Sequence, residues 1–352
     1  MKRVLLVGRR RYSLPLDEPE SRKFRALGEV MSLRVLGSGR RSDETFRLVR
    51  PFPVCALDGL AFHLGLPFRV AREIRDYDPD VVLVQGAQET AAALLGRALS
   101  RRRPRVVLDL HGDWRTATRL YGSRARRLLS PVGDRLAAWA VRRADGVRTV
   151  SEFTSRLVRE QGVEPTATFA AFMDLDPFLE PPIPLPEPPS VLFVGALELY
   201  KGVDVLAAAW PRVRSGELRV IGKGPRADLI ERLGVRHDPE LRPEEVARAL
   251  DEATCLVLPS RGEGMGRVVV EALLRGRPVV GTRGGGIEDL VRDGENGLLV
   301  PPDDAQALAE ALDRVLSDRA LAERLAAAAR PSVEPWVVTP EEYARRLRAL
   351  LD

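Results

Sequence analysis

Lysine is scarce in this chain of 352 residues: of 55 basic side chains only four are lysines, Lys2, Lys23, Lys201 and Lys223, so arginine carries the positive charge. Cysteine is as sparse. Cys55 and Cys255 stand far apart, which gives no basis for a disulfide framework or a thiolate metal site and fits a reducing, cytoplasmic setting. With three histidines there is no zinc-type spacing, and neither a G-K-[ST] phosphate loop nor a nucleophile elbow occurs. Asp303-Asp304 follows a Pro-Pro turn and is not read as a D-x-D pair, so no metal ligands are expected. Aromatic residues make up 5% and do not interleave with the basic ones, which argues against a nucleic-acid partner. No apolar run reaches the length of a membrane span, and Arg9, Arg10 and Arg11 cut the first one too short for a signal peptide.

What is present is a soluble balance, 45% hydrophobic and 30% charged, over a length that suggests two domains. The charge is unevenly spread. Residues 1–175 hold 32 Lys and Arg against 20 Asp and Glu, a net +12, whereas residues 176–352 hold 23 against 30, a net −7. A basic half points to an anionic partner, to a membrane surface, or simply to a solvated arginine-rich exterior.

The densest information lies in residues 256–300, LVLPSRGEGMGRVVVEALLRGRPVVGTRGGGIEDLVRDGENGLLV. An apolar strand stops at Pro259, a glycine-rich loop follows, Val268, Val269, Ala272 and Leu273 recur at helical spacing, and Pro278 opens a second short strand. Glycines let a backbone approach a ligand closely, and a helix start offers unpaired N–H groups at the positive end of the macrodipole, so Gly264, Met265 and Gly266 form a candidate anion seat for a diphosphate. Glu263 and Glu271 flank it with seven residues between them. Beside a phosphate their use is to accept hydrogen bonds from ligand hydroxyls; the plainer alternative is a solvated loop and an exposed helix face.

This segment resembles the donor site of the retaining, group 1 (family 4) glycosyltransferases. It carries the E-x7-E pair, the G-x-G loop, the helix end R-G-R-P-V-V-G, then T-R-G-G-G-I and D-G-x-N-G-L-L-V-P-P. The resemblance implies an α/β fold of two Rossmann-like domains facing a central cleft, the GT-B fold, with a C-terminal helix crossing back to the first domain. Residues 1–178 would form the acceptor-side domain, completed by residues 336–352. Residues 179–190, EPPIPLPEPPS at their heart, would be a stiff Pro-rich linker, and residues 191–335 the nucleotide-sugar domain.

Along the chain, KRVLLVG is a first strand ending at Gly8, where relatives carry a Gly-Gly pair under the donor phosphate and this chain continues with three arginines and Tyr12. The strand Val106 to Leu110 runs into His111-Gly112-Asp113, matching the family's cleft histidine, and Ser151 is expected to cap a helix after the A-D-G-V-R-T-V-S-E stretch. Lys201 in K-G-V-D matches the family's diphosphate lysine. Ala196 stands where relatives usually have arginine, which leaves Arg267 or Arg9 as substitutes. Ala305 to Ala329 reads as a helical pair that prolines 331, 335 and 340 break, with a last helix over Glu341 to Leu351.

The resemblance implies metal-independent transfer of a sugar from a nucleotide-diphosphate sugar, a co-substrate rather than a cofactor. His111, Glu263 and Lys201 would be catalytic, and Gly8, Lys201, Gly264, Met265, Gly266 and Glu271 would hold the donor. The acceptor is open, with an anionic or membrane-bound molecule suggested by the basic half through Arg101 to Arg103, Arg105, Arg124, Arg126 and Arg127. Two alternatives stand beside this reading: a GT-B epimerase or phosphorylase, and a basic binding protein without turnover.

Overall fold

Runs such as VVLV at residues 81–84 are apolar at successive positions, which suits strands covered on both faces by helices. In the computed structural model, which describes residues 1–52, 55–115 and 124–352, they form two parallel sheets in two separate units. The side chains of residues 55–57, 60 and 124–129 lie outside the described set.

The first unit comprises Met1–Phe172 and Val338–Asp352. Its described strands are β1 (Arg3–Tyr12), β2 (Ser32–Gly39), β3 (Phe46–Val49), β4 (Val81–Gln85), β5 (Arg105–Leu110), β6 (Gly146–Thr149) and β7 (Ala167–Thr168), in the order β3-β2-β1-β4-β5-β6-β7. Between them run α1 (Glu18–Val30), α2 (Cys55–Tyr77), α3 (Ala87–Ser100), α4 (Arg124–Arg143) and α5 (Glu152–Arg159). The strand order reverses between β1 and β4, which pair from Val4↔Val81 to Val7↔Val84. In open parallel sheets ligands sit beyond the carboxyl ends of the strands at such a reversal.

The second unit, Met173–Val337, repeats the plan with β8 (Ser190–Val194), β9 (Glu217–Ile221), β10 (Arg236–Asp238), β11 (Cys255–Leu258), β12 (Val279–Thr282) and β13 (Gly297–Val300), ordered β10-β9-β8-β11-β12-β13. Its helices are α6 (Val203–Ala209), α7 (Ala227–Glu231), α8 (Pro243–Asp251), α9 (Arg267–Leu274), α10 (Ala305–Ser317) and α11 (Arg319–Val333). Here the reversal lies between β8 and β11. The last helix, α12 (Pro340–Leu351), returns to the first unit. Tyr343, Ala344, Leu347, Leu350 and Leu351 form its buried stripe and pack with Ala26 and Leu27 of α1.

Three expectations are corrected. The boundaries fall at 172/173 and 337/338 rather than 178/179 and 335/336, and Trp336 packs on the second unit's core. The Pro-rich stretch is not a free tether. Its carbonyls have no ladder partners, and arginines remote in sequence supply the donors: Arg275 and Arg330 reach Glu180 O at 3.0 and 2.8 Å, and Arg319 reaches Leu185 O and Pro186 O at 3.0 and 3.1 Å. Leu185 is buried in the same core. Finally, α11 continues through Pro331 to Val333, held by the buried Ala329 and Val333; the break falls after it, and Pro340 opens α12, because the first helical turn tolerates a missing N–H.

Candidate active site

Beyond the end of β8 a short 3-10 turn, Leu199–Lys201, delivers Lys201 to the reversal point. Gly202 makes this seating possible: at φ +69° it lies so close to the end of β11 that a Cβ would stand 1.9 Å from Pro259 O. Lys201 Nζ donates to Glu263 Oε1, and both side chains are only about an eighth exposed, 13% and 12%. Ser260 Oγ donates to the same oxygen at 3.0 Å, and Ser260 is itself fixed by the Thr282 hydroxyl on its carbonyl. Among the described residues, Glu263 takes one of the three ammonium donors of Lys201.

Glu263 opens the glycine loop. Gly286 N–H donates to Glu263 O at 2.7 Å, and a Cβ on Gly286 would come within 2.3 Å of Gly264 O, so the T-R-G-G-G-I segment forms the floor of the loop. Gly266 then takes φ +71° as the residue before α9. Within that helix Glu271 is buried and receives Arg267 Nε at 2.6 Å. Burial pushes its carboxyl above the usual range, and the charges of Arg267 and Lys201 offset only part of this. Arg267 also donates to Asp174 O at 3.0 Å, so of the two arginines considered in place of one at Ala196 it is the one in this unit, beside Glu271. Arg261 reaches Asp204 with both nitrogens at 2.8 Å and Asp303 at 2.6 Å, which ties the loop to α6 and engages Asp303 in an ion pair.

In the first unit, His111 directly follows the end of β5. Its Nε2 faces Asp109 Oδ2 at 2.8 Å, so Nε2 carries the proton and Nδ1 is the outward nitrogen. Asp109 lies beside Arg148 in the strand register, both are wholly buried, and Arg148 Nη1 bonds Asp109 Oδ1 while Nη2 donates to Phe169 O and Ala170 O at 2.8 Å. Burial alone would push the Asp109 carboxyl up; Arg148 and His111 more than reverse this and hold it well below the usual range. A depression of about 770 Å³ lies over the ends of β1, β4 and β5, lined among others by His111, Gln85, Gln88 and Trp114. His63, on its wall, has Nδ1 2.6 Å from Gly59 O and Nε2 3.2 Å from Glu89 Oε1. Burial disfavours the charged ring, but the Glu89 carboxylate and the Gly59 carbonyl more than offset this and hold its pKa above the usual value.

The candidate residues therefore form two groups. Lys201, Glu263, Gly264, Met265, Gly266 and Glu271 are together in the second unit, and His111 and Gly8 are in the first. Gly8 does not end its strand: β1 continues through Arg9–Arg11 to Tyr12, and Gly8 lies buried against Gln85 rather than in a loop. Arg101 to Arg103 and Arg105 gather at the amino end of β5, the opposite end from His111, and the side chains of Arg124, Arg126 and Arg127 lie outside the described residues. Sequence reading missed Asp109, Arg148, His63 and Arg261. The first two had a signal, a lone charge of each sign inside an apolar strand.

Fold and site define an α/β protein with a glycine-rich loop and a largely buried lysine in one Rossmann-like unit and a histidine at the strand ends of the other. Residues 188–318 match the family described as glycosyl transferases group 1, and residues 20–169 match the glycosyl transferase 4-like domain. The chain belongs to the group 1 glycosyltransferases and has the GT-B fold. It is 37% identical over 173 residues to D-inositol 3-phosphate glycosyltransferase of Nocardioides sp., covering 41% of this chain and 38% of that protein. Among solved structures, sucrose-phosphate synthase from Thermosynechococcus elongatus superposes with a TM-score of 0.77 at 21% identity over 99% of this chain and 98% of that one. Anabaena HepE, in complex with UDP, gives 0.69 at 18% identity over 100% and 99%. The chain spans only 31% and 38% of the length of such curated relatives as the Arabidopsis thaliana sulfoquinovosyl transferase and the Nocardioides enzyme.

Proposed function

We infer that this protein transfers a sugar from a nucleotide-diphosphate sugar to an acceptor hydroxyl with retention of anomeric configuration. The observation that carries the reading is the largely buried Lys201–Glu263–Ser260 cluster at the reversal point of the second sheet, with the buried Glu271 in the helix that follows. Lys201 and the N–H groups at the start of α9 would meet the charge of the leaving diphosphate, so the transfer is read as metal-independent. Glu263 would hold hydroxyls of the sugar, and Glu271 those of the ribose. The bond from the anomeric carbon to the diphosphate oxygen breaks, the acceptor oxygen bonds to that carbon on the same face, and the acceptor proton passes to the leaving phosphate. His111, oriented by Asp109, is the first unit's candidate for catalysis. The HepE complexes with UDP and with UDP-glucose support a uridine donor as the first to try.

The test is a panel of nucleotide sugars with nucleoside diphosphate release followed over time and the first-formed sugar product examined by NMR before mutarotation. An α-linked donor should yield an α product. A β product overturns retention, and an epimerised donor sugar with no net release overturns transfer.

A membrane setting also has an observation in its favour. Leu95 and Leu99 on α3 and Val132, Leu136 and Trp139 on the neighbouring α4 are exposed, with Arg101 to Arg103 at the end of α3. Apolar and basic groups side by side suit the surface of an anionic bilayer. Among the described residues no helix is long and apolar enough to cross a membrane. Sedimentation with anionic vesicles that weakens as salt rises is the expected result; equal binding to neutral vesicles contradicts it.

A further inference from the structure

Three consecutive arginines on a strand cannot all point the same way, because side chains alternate between faces. Arg10 goes to one side, where it pairs with Glu20 and lies 5.7 Å from the Tyr12 ring centre. Arg9 and Arg11 go to the other and converge on a single carboxylate, Asp58, at 3.1 and 3.7 Å. Asp58 is already engaged, since its other oxygen accepts the Phe52 N–H at 2.7 Å. Arg11 is the looser of the two, with 67% of its side chain exposed and no hydrogen bond to Asp58. All three arginines line the depression that also contains His111.

Charge around this wall does not cancel. Arg9 and Arg11 face the single carboxylate of Asp58, while Glu89 is paired with His63 and Asp113 on the same rim with Arg115 at 3.1 Å. Among the described residues two arginines share that one carboxylate, and Arg11, the more distant and two-thirds exposed, can turn its fork of donors outward. That fork matches a phosphate or carboxylate bidentately. The pocket beside it is lined by Gln85, Gln88 and the outward face of His111, groups suited to hydroxyls.

We propose that Arg9 and Arg11 form a clamp for a phosphate group on the acceptor, so that the molecule receiving the sugar is a phosphorylated polyol whose hydroxyl is presented near His111. The word acceptor rests on the glycosyl-transfer reading; the clamp itself does not. Phosphate on a soluble polyol and phosphate in a lipid headgroup share this chemistry.

Calorimetry on the full chain separates the outcomes. Glycerol 3-phosphate, glycerol and phosphatidylglycerol vesicles are titrated into wild type, Arg11→Gln and Arg9→Gln, with UDP binding as the control for folding and for the donor site. Arg11 is exposed, so its substitution leaves folding intact. Wild type should bind glycerol 3-phosphate at least about tenfold more tightly than glycerol, and Arg11→Gln should remove most of that preference with UDP affinity unchanged. Binding of the vesicles alone, abolished by Arg11→Gln, assigns the phosphate to a lipid and upholds the clamp. If wild type and Arg11→Gln bind both phosphate probes equally, or neither probe binds wild type, the clamp is wrong. In that event intact UDP binding leaves the donor reading standing, whereas absence of UDP binding in wild type counts against the donor reading alone.

Discussion

The two sheets share one strand plan and one kind of reversal point, yet they equip it in opposite ways. In the second unit the reversal is built from backbone: Gly202, Gly264, Gly266 and Gly286 bring peptide groups together, and a few largely buried side chains, Lys201 and Glu263 foremost, stand among them. In the first unit it is built from charge: a wholly buried Asp109–Arg148 pair fixes His111 from beneath, and a row of arginines lines the pocket. A diphosphate suits the first arrangement, since it is recognised by many N–H groups at short range. A ligand known by one acidic group suits the second. Equal topology therefore carries no equal function, and the difference resides in the residues at the strand ends.

The sharpest way to break this contrast is at the buried pair. Arg148→Leu leaves Asp109 uncompensated in the core and should cost about 3–5 kcal/mol in denaturant unfolding, with Asp109→Leu/Arg148→Leu recovering most of it. A single-variant loss below about 1 kcal/mol would mean that the pair is not what holds His111. Next in size is the glycine floor of the other unit. Gly286→Ala puts a methyl 2.3 Å from Gly264 O, and displacement of the loop should cost about 1–3 kcal/mol and weaken nucleotide binding with it. Full nucleotide affinity in that variant would show that the loop is not a ligand seat.

The smallest effect concerns Glu271, and it has two signs. Its carboxyl is raised by burial, so folding disfavours the ionised form, and the penalty is fully present above the folded pKa and vanishes as pH falls below the unfolded value of about 4.3. Glu271→Gln should then be at least as stable as wild type near pH 7, with the advantage shrinking on acidification, while nucleotide affinity falls. A lower melting temperature at pH 7 would show that the Arg267 hydrogen bond outweighs the burial penalty.

How much of this was legible beforehand follows the range of the contacts. The candidate donor site lies almost wholly in residues 195–300, in short motifs, so the cluster of Lys201, Glu263 and Glu271 that the structure brings together in one unit could be singled out from sequence. The Asp109–Arg148 pair depends on strand register across 39 residues, and only the oddity of a charge in VVLDL and in GVRT hinted at it. The end of β1 was misjudged because glycine reads as punctuation, whereas here Gly8 lies against Gln85 in a strand that runs on to Tyr12. Proline suggested a stiff interdomain tether at residues 179–190. The arginines that tie it down come from 95 to 151 residues further along, beyond any local pattern.

The central claim is that the two units bind different anions independently, a diphosphate in one and an acidic acceptor in the other. Calorimetric titration of UDP and of glycerol 3-phosphate into Lys201→Ala and Arg11→Gln tests it directly. Lys201→Ala should lose roughly tenfold or more in UDP affinity and keep glycerol 3-phosphate, and Arg11→Gln should do the reverse. Parallel loss of both ligands in either variant would contradict the account.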